Sequence, residues 1–204
     1  MTVLLRYTLY SMLLTSATTA HASQWQFDVY LDGRRIGEHV FTIESLGGDR
    51  YIAQSRARFD VKVLLVPVFR YRHESVEEWR GACLQAISSH TEVNGKHYRV
   101  EGEQHGDTFA LAVAHDDDAQ TRSLPGCVAT YAYWDAATLA QHTQLLNSQT
   151  GAYDPVALQQ DASELRIVGE HSDGRFAIDL DYEAGRWAGL STLRDGRALE
   201  YRLR

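Results

Sequence analysis

The chain has 204 residues, 23% of them charged, and a formal net charge of −7. An acidic chain without a basic stripe is a poor partner for nucleic acid or for an anionic membrane surface, because nothing in it neutralises phosphates. The length suits one ordinary domain with a real core.

The first 22 residues, MTVLLRYTLYSMLLTSATTAHA, carry a single charge, Arg6, before an apolar stretch that ends in Ala20-His21-Ala22. A basic start, a short apolar region and an A-x-A site read as a secretory signal peptide. The apolar part is too short and too rich in hydroxyls to span a bilayer comfortably. Cleavage after Ala22 leaves residues 23–204 as a single β-rich domain, and the expected location is the periplasm. An exported chain whose cysteines are Cys83 and Cys127 is expected to join them in a disulfide. Closing a loop of that length is worth about 4 kcal/mol in the chain-entropy model. Neither cysteine sits in a C-x-x-C pair, which weakens the metal and redox readings.

Period two dominates the remainder of the chain. In WQFDVYLDG, Trp25, Phe27, Val29 and Leu31 share one face, and Asp32-Gly33 ends the run as a turn. RRIGEHVFTIESL is the return strand. YIAQSRARFDVKV alternates again, with Ile52, Gln54, Arg56, Arg58 and Asp60 on its polar side. FRYRHESVEEW places Phe69, Tyr71, His73, Ser75, Glu77 and Trp79 on one face. ACLQAISSHTEVNG ends at Asn94-Gly95, the strongest short hairpin signal in the chain. KHYRVEGEQHG and DTFALAVAH continue the alternation, and HDDDAQTR reads as a solvated loop. The last three strands are separated by turns at Ala184-Gly185 and Asp195-Gly196. Roughly ten strands with short connections give an all-β fold, an antiparallel meander curling into a curved sheet or barrel.

One segment breaks the period. Asp135 to Asn147 reads as an inserted α-helix, with Asp135 as N-cap, Trp134 and Leu139 as a hydrophobic staple, and Leu139, His142, Leu145 and Leu146 at helical spacing. The aromatic run TYAYWD also reads as a pocket wall. Asp135 and His142 are the weak catalytic candidates, an acid–base pair with no marked nucleophile. The polar group Asn147, Ser148, Gln149 and Thr150 reads as satisfying backbone at the helix exit. The sequence marks no metal or cofactor site: His115 to Asp118 lacks calcium-loop offsets and there is no HExxH.

Two features bear on a ligand. His73, Ser75 and Glu77 share a face with Phe69, Tyr71 and Trp79. Glu77 needs a partner if buried, and a mixed lining suits either a cavity with a few polar anchors or a face that meets solvent beyond a short apolar core. Tyr71, His73, Trp79 and Trp134 are therefore the candidate ligand-binding residues. The apolar run around Pro67 (Val63, Leu64, Leu65, Val66, Val68 and Phe69) interrupts the alternation, and a proline there argues against a central strand. It reads either as a buried plug or as an apolar lip able to make peripheral membrane contact.

Several patches together resemble the DUF6134 family of exported bacterial proteins: LDGRRIGEH (31–39), RYRHESVEEWRGACL (70–84), NGKHYRV (94–100), CVATYAYWDAATLAQHTQLLNSQTG (127–151) and GRWAGLSTLRDGRALEYRL (185–203). A looser likeness to the DUF3108 family rests on the acid–tryptophan–glycine turn at Glu77 to Gly81. The resemblance implies an exported β-rich domain and no particular reaction. The expected function is non-enzymatic binding of a lipid or other apolar small molecule. The alternatives are an enzyme or accessory factor of envelope lipid metabolism, and an envelope scaffold.

Overall fold

The computed structural model describes residues 22–63, 66–116, 118–161, 164–171 and 174–204. The expected signal peptide lies outside them apart from Ala22, as do Leu64 and Leu65 of the apolar run. The described chain forms one antiparallel sheet of fourteen strands. A first meander comprises β1 (Ala22–Leu31), β2 (Arg34–Gly47), β3 (Arg50–Val63), β4 (Val66–Arg80), β5 (Cys83–Val93), β6 (Lys96–His105), β7 (Thr108–His115) and β8 (Asp118–Pro125). A helical turn, α1 (Ala136–Leu139), and a short strand, β9 (Gln144–Leu146), lead to a second meander. This one comprises β10 (Tyr153–Asp161), β11 (Glu164–His171), β12 (Gly174–Glu183), β13 (Arg186–Arg194) and β14 (Arg197–Leu203).

Pairing of β1 with β14 fuses the two meanders, so the order runs from β8 to β1 and on from β14 to β9. The two-residue turns are those the sequence marks. At Asn94-Gly95, for example, both residues take positive φ (51° and 84°), which matches the twist of the flanking strands.

The sheet is curved but does not close into a barrel: β8 and β9 stand at opposite ends of the order. The segment that leaves β8 occupies the place where closure would occur. Leu146 of β9 donates to the Ala129 carbonyl (2.8 Å) and bridges Thr130 in parallel, while Leu84 of β5 donates to the Val128 carbonyl (2.8 Å). The open side is thus filled by chain. On that side Gly151, at φ +69°, lies so close to Val113 of β7 that a Cβ would run into the valine side chain.

Two expectations are corrected. HDDDAQTR is not a loop: from Asp118 onward it is β8, an edge strand exposed at every residue except Leu124. A strand wet on both faces has no reason to alternate, and its polarity discourages another chain from pairing with it. The helix expected from Asp135 to Asn147 is one turn, Ala136–Leu139, and Gln144–Leu146 is a strand paired with Tyr153–Pro155. Leu139, Leu145 and Leu146 are all fully buried. Their helical spacing arises because a segment crossing the interior is covered on every side, whatever its backbone.

The main core joins both meanders to the crossing segment. Phe27 packs against Trp187 (ring centroids 4.4 Å apart), and Trp25 donates its indole N–H to the Trp187 carbonyl (3.1 Å). Val128, Ala129 and Ala132 are fully buried in the same cluster. The disulfide between Cys83 and Cys127 is formed and ties β5 to this segment.

Pro67 lies within β4, where the sequence argued against a central strand. Its position explains the exception. β5 pairs with β4 only as far as Tyr71, and β2 pairs with β3 only as far as Phe59. The end of the β3–β4 hairpin runs past both neighbours, so Pro67 has no strand on its far side, an edge position where proline is tolerated.

Candidate ligand cavity

The inner face of β4 builds the site. Period two turns Tyr71, His73, Ser75, Glu77 and Trp79 to one side, while Arg70, Glu74, Val76 and Glu78 are exposed. Strand rise separates Phe69 from Glu77 by about 26 Å. An elongated cavity of about 650 Å³ extends along this row. β2 and β3 contribute His39, Phe41, Ser55 and Phe59, and β12 to β14 contribute Ile178, Leu199 and Tyr201 from the opposite side. The crossing segment supplies Tyr131, Tyr133 and Trp134 as a third wall, with Asn147, Ser148 and Gln149 beside them.

The mouth lies where the turns gather. Arg194, Asp195 and Arg197 line it, together with Val68 and Leu193, which are 52% and 70% exposed. Asp32 of the β1–β2 turn holds this end together through an ion pair with Arg197 (2.7 Å) and a bond from the Ala198 N–H (2.9 Å).

Inside, the polar groups are tied in small sets. His39 bonds Ser55 Oγ (2.6 Å) through Nε2 and Tyr201 Oη (3.2 Å) through Nδ1, and stacks on Phe41. His73 Nδ1 meets Thr91 Oγ1 at 2.8 Å. Tyr71 donates its hydroxyl to Gln149 Oε1 (3.1 Å). Asp154 accepts from Tyr131 (2.9 Å) and pairs with His171 Nδ1 (3.0 Å). Ser89 donates to the Ser148 carbonyl, fixing the turn after β9.

Burial holds both cavity imidazoles neutral. It lowers the His73 pKa to about 4, with Glu74 acting in the opposite sense, and takes that of His39 well down, helped by His73. His39 is accordingly a weak base. Its pairing with Ser55 resembles a nucleophile–base contact, but the group on its other nitrogen is a phenol, not a carboxylate. These side chains serve as fixed hydrogen-bonding positions on the wall.

Glu77 lies at the inner end, 4% exposed. Its Oε2 accepts from Thr130 Oγ1 (2.8 Å) and from the Trp79 indole (3.1 Å). Burial raises its pKa to about 7 against the pull of those two bonds. Among the described residues no cation pairs with it.

Of the four residues proposed from the sequence, Tyr71, His73 and Trp134 line the cavity together. Trp79 stands behind the wall, 1% exposed, stacked on Tyr51 (5.7 Å) and bonded to Glu77. The weak catalytic pair is not assembled. Asp135 spends its carboxylate on its own helix, accepting from Ala137 N (3.0 Å), Thr138 N (3.1 Å) and Thr138 Oγ1 (2.8 Å). His142 is bonded to the Ala82 carbonyl (3.0 Å), and neither residue lines the cavity. Asp135→Ala is accordingly expected to lower stability by about 1 kcal/mol in urea unfolding, the ordinary cost of a lost cap, while cavity ligands still bind.

The sequence missed His39, Ser55, Tyr201, Asp154 and His171. They come from strands far apart in the chain, and only the inward parity of Ser55 on the alternating β3, and of His39 with Phe41 on β2, offered a local signal. TYAYWD turns out to serve both readings at once: Asp135 caps, and Tyr131, Tyr133 and Trp134 form wall.

The model of the family described as Domain of unknown function (DUF6134) matches residues 27–204. No curated protein and no solved structure matches the chain.

Proposed function

The chain belongs to the DUF6134 family, whose description assigns no activity, and from its cavity we propose that the protein binds a lipid or another apolar small molecule without transforming it. The observation that carries this reading is the elongated cavity of about 650 Å³, walled by aromatic and aliphatic side chains with a few fixed polar groups. That size and that mixture are typical of small-molecule sites. The reading places the protein in the periplasm after loss of a signal peptide, and the Cys83–Cys127 disulfide supports an oxidising compartment.

The mouth supports a route of entry from a membrane surface. Val68 is half exposed there and Phe69 lines the opening, on a hairpin that projects past its neighbours. In this reading the hairpin makes peripheral contact with lipid while the cavity receives the molecule.

A neutral fluorescent probe of apolar environments, N-phenyl-1-naphthylamine, tests the proposal. The protein is expected to bind it at one site with micromolar affinity. Ile178→Trp, which places extra volume in the cavity wall, is expected to weaken binding by about tenfold or more. Absence of saturable binding, or equal binding by the variant, would remove the cavity as the site.

A further inference from the structure

We infer that the inner end of the cavity receives an amine: the ligand is an amphiphile bearing a cationic ammonium head, seated head-first on Glu77 with its tail towards the mouth. This rests on the cavity-binding reading and names its ligand class.

Glu77 Oε2 is already bonded by Thr130 and Trp79. Oε1 has no hydrogen bond among the described residues, yet it is not among the fully enclosed polar atoms that lack a partner. It is therefore the oxygen with access to the cavity that Glu77 lines. A buried carboxylate with no cation beside it is costly, and a cation delivered by a ligand offsets that cost. The other buried acid nearby differs. Both oxygens of Asp154 are engaged, one by Tyr131 and one by His171.

The surroundings of Glu77 suit a cation. Trp79, which bonds Glu77, meets Trp134 edge-on at 6.3 Å, and Trp134 packs against Phe41 at 6.1 Å; Trp134 and Phe41 both line the cavity. The indole nitrogen of Trp134 is enclosed, so it is ring carbon that meets the cavity. Aromatic faces attract ammonium groups. The lining arginines, Arg194 and Arg197, stand at the mouth, at the far end from Glu77. The polarity of the cavity is thus arranged end to end, with a carboxylate and aromatic faces inside and Val61, Val68, Phe69 and Leu193 outward. That order fits an ammonium head inside and a hydrocarbon tail outward.

Three ligands of equal chain length decide the matter: decylamine, decanol and decanoate, each competed at pH 8 against N-phenyl-1-naphthylamine. The expected order is decylamine tightest, by about tenfold over decanol, with decanoate weakest, as one charge-assisted hydrogen bond and its repulsive counterpart require. In Glu77→Gln, decylamine is expected to fall to within about twofold of decanol. Decanol binding as tightly as decylamine in the wild-type protein overturns the inference and leaves cavity binding standing. So does an amine preference that survives in Glu77→Gln. If the probe and all three ligands fail to bind, cavity binding falls and the inference falls with it. The wild-type comparison decides even if the variant does not fold.

Discussion

Replacing Cys83 and Cys127 together by alanine is expected to lower the unfolding free energy by about 4 kcal/mol, read in urea as a lower midpoint with a steeper slope, because the unlinked denatured chain exposes more surface. The bridge spans a sequence separation of 44 residues, which includes the hairpins from β5 to β8. In the chain-entropy view its loss releases the unfolded chain. It also frees the start of the crossing segment, which is otherwise held by the Leu84–Val128 bond and by burial of Val128, Ala129 and Ala132. That segment carries Tyr131, Tyr133 and Trp134, so cavity binding is expected to weaken along with stability. Reduction of the wild-type protein should reproduce both effects. A loss below about 1 kcal/mol would mean that packing of the segment alone holds it in place.

The second large effect is one of pH. Folded Glu77 has a pKa of about 7, raised by burial from an ordinary 4.5. Below 4.5 the carboxyl is protonated in both folded and unfolded chains. Between 4.5 and 7 the folded chain holds a proton that the unfolded chain has released, so each rise in pH weakens the fold. Above 7 both are ionised and the loss is complete, at about 3 kcal/mol. Glu77→Gln has no proton to lose at this position. Its stability relative to wild type is therefore expected to rise by about 3 kcal/mol from pH 4.5 to pH 8, measured by urea unfolding at each pH. His73, lowered to about 4, and His39, lowered well below 6.5, act in the opposite sense. Below pH 6.5 the unfolded chain takes up protons that these folded imidazoles refuse, so the fold weakens as pH falls towards 4. Wild type and variant share that limb, and it cancels in their difference. A flat difference across this range would show that Glu77 is ionised in the fold at pH 5.

Much of the sheet was legible because its strands are wet on one face and dry on the other. β1, β3 and β4 alternate for this reason, and the inward row from Tyr71 to Trp79 could be read before its neighbours were known. β8 was hidden because it is wet on both faces, and β9 because its two leucines, on opposite faces, are both buried. β10 and β11 escaped notice because the polar run from Gln159 to Glu164 conceals the hairpin ends that pair Gln160 with Leu165 and Asp161 with Glu164. At the site, single residues were legible and their partners were not. The burial of Glu77 posed a question that its own strand could answer only in part, through Trp79. The other donor, Thr130, is on a segment whose path depends on the disulfide and on β9. Likewise, His39 meets Tyr201 only because the first and last strands of the chain, β1 and β14, pair in the middle of the sheet.

Everything proposed for this protein turns on whether the cavity between the two meanders holds an amphiphilic molecule. Native mass spectrometry tests it most directly: the mature, disulfide-bonded protein is incubated with a total lipid extract of bacterial envelope, passed through a desalting column and sprayed without detergent. A one-to-one adduct that extracts into organic solvent and is lost in Ile178→Trp is expected. A bare protein mass for both wild type and variant, or an adduct retained in the variant, would contradict cavity binding.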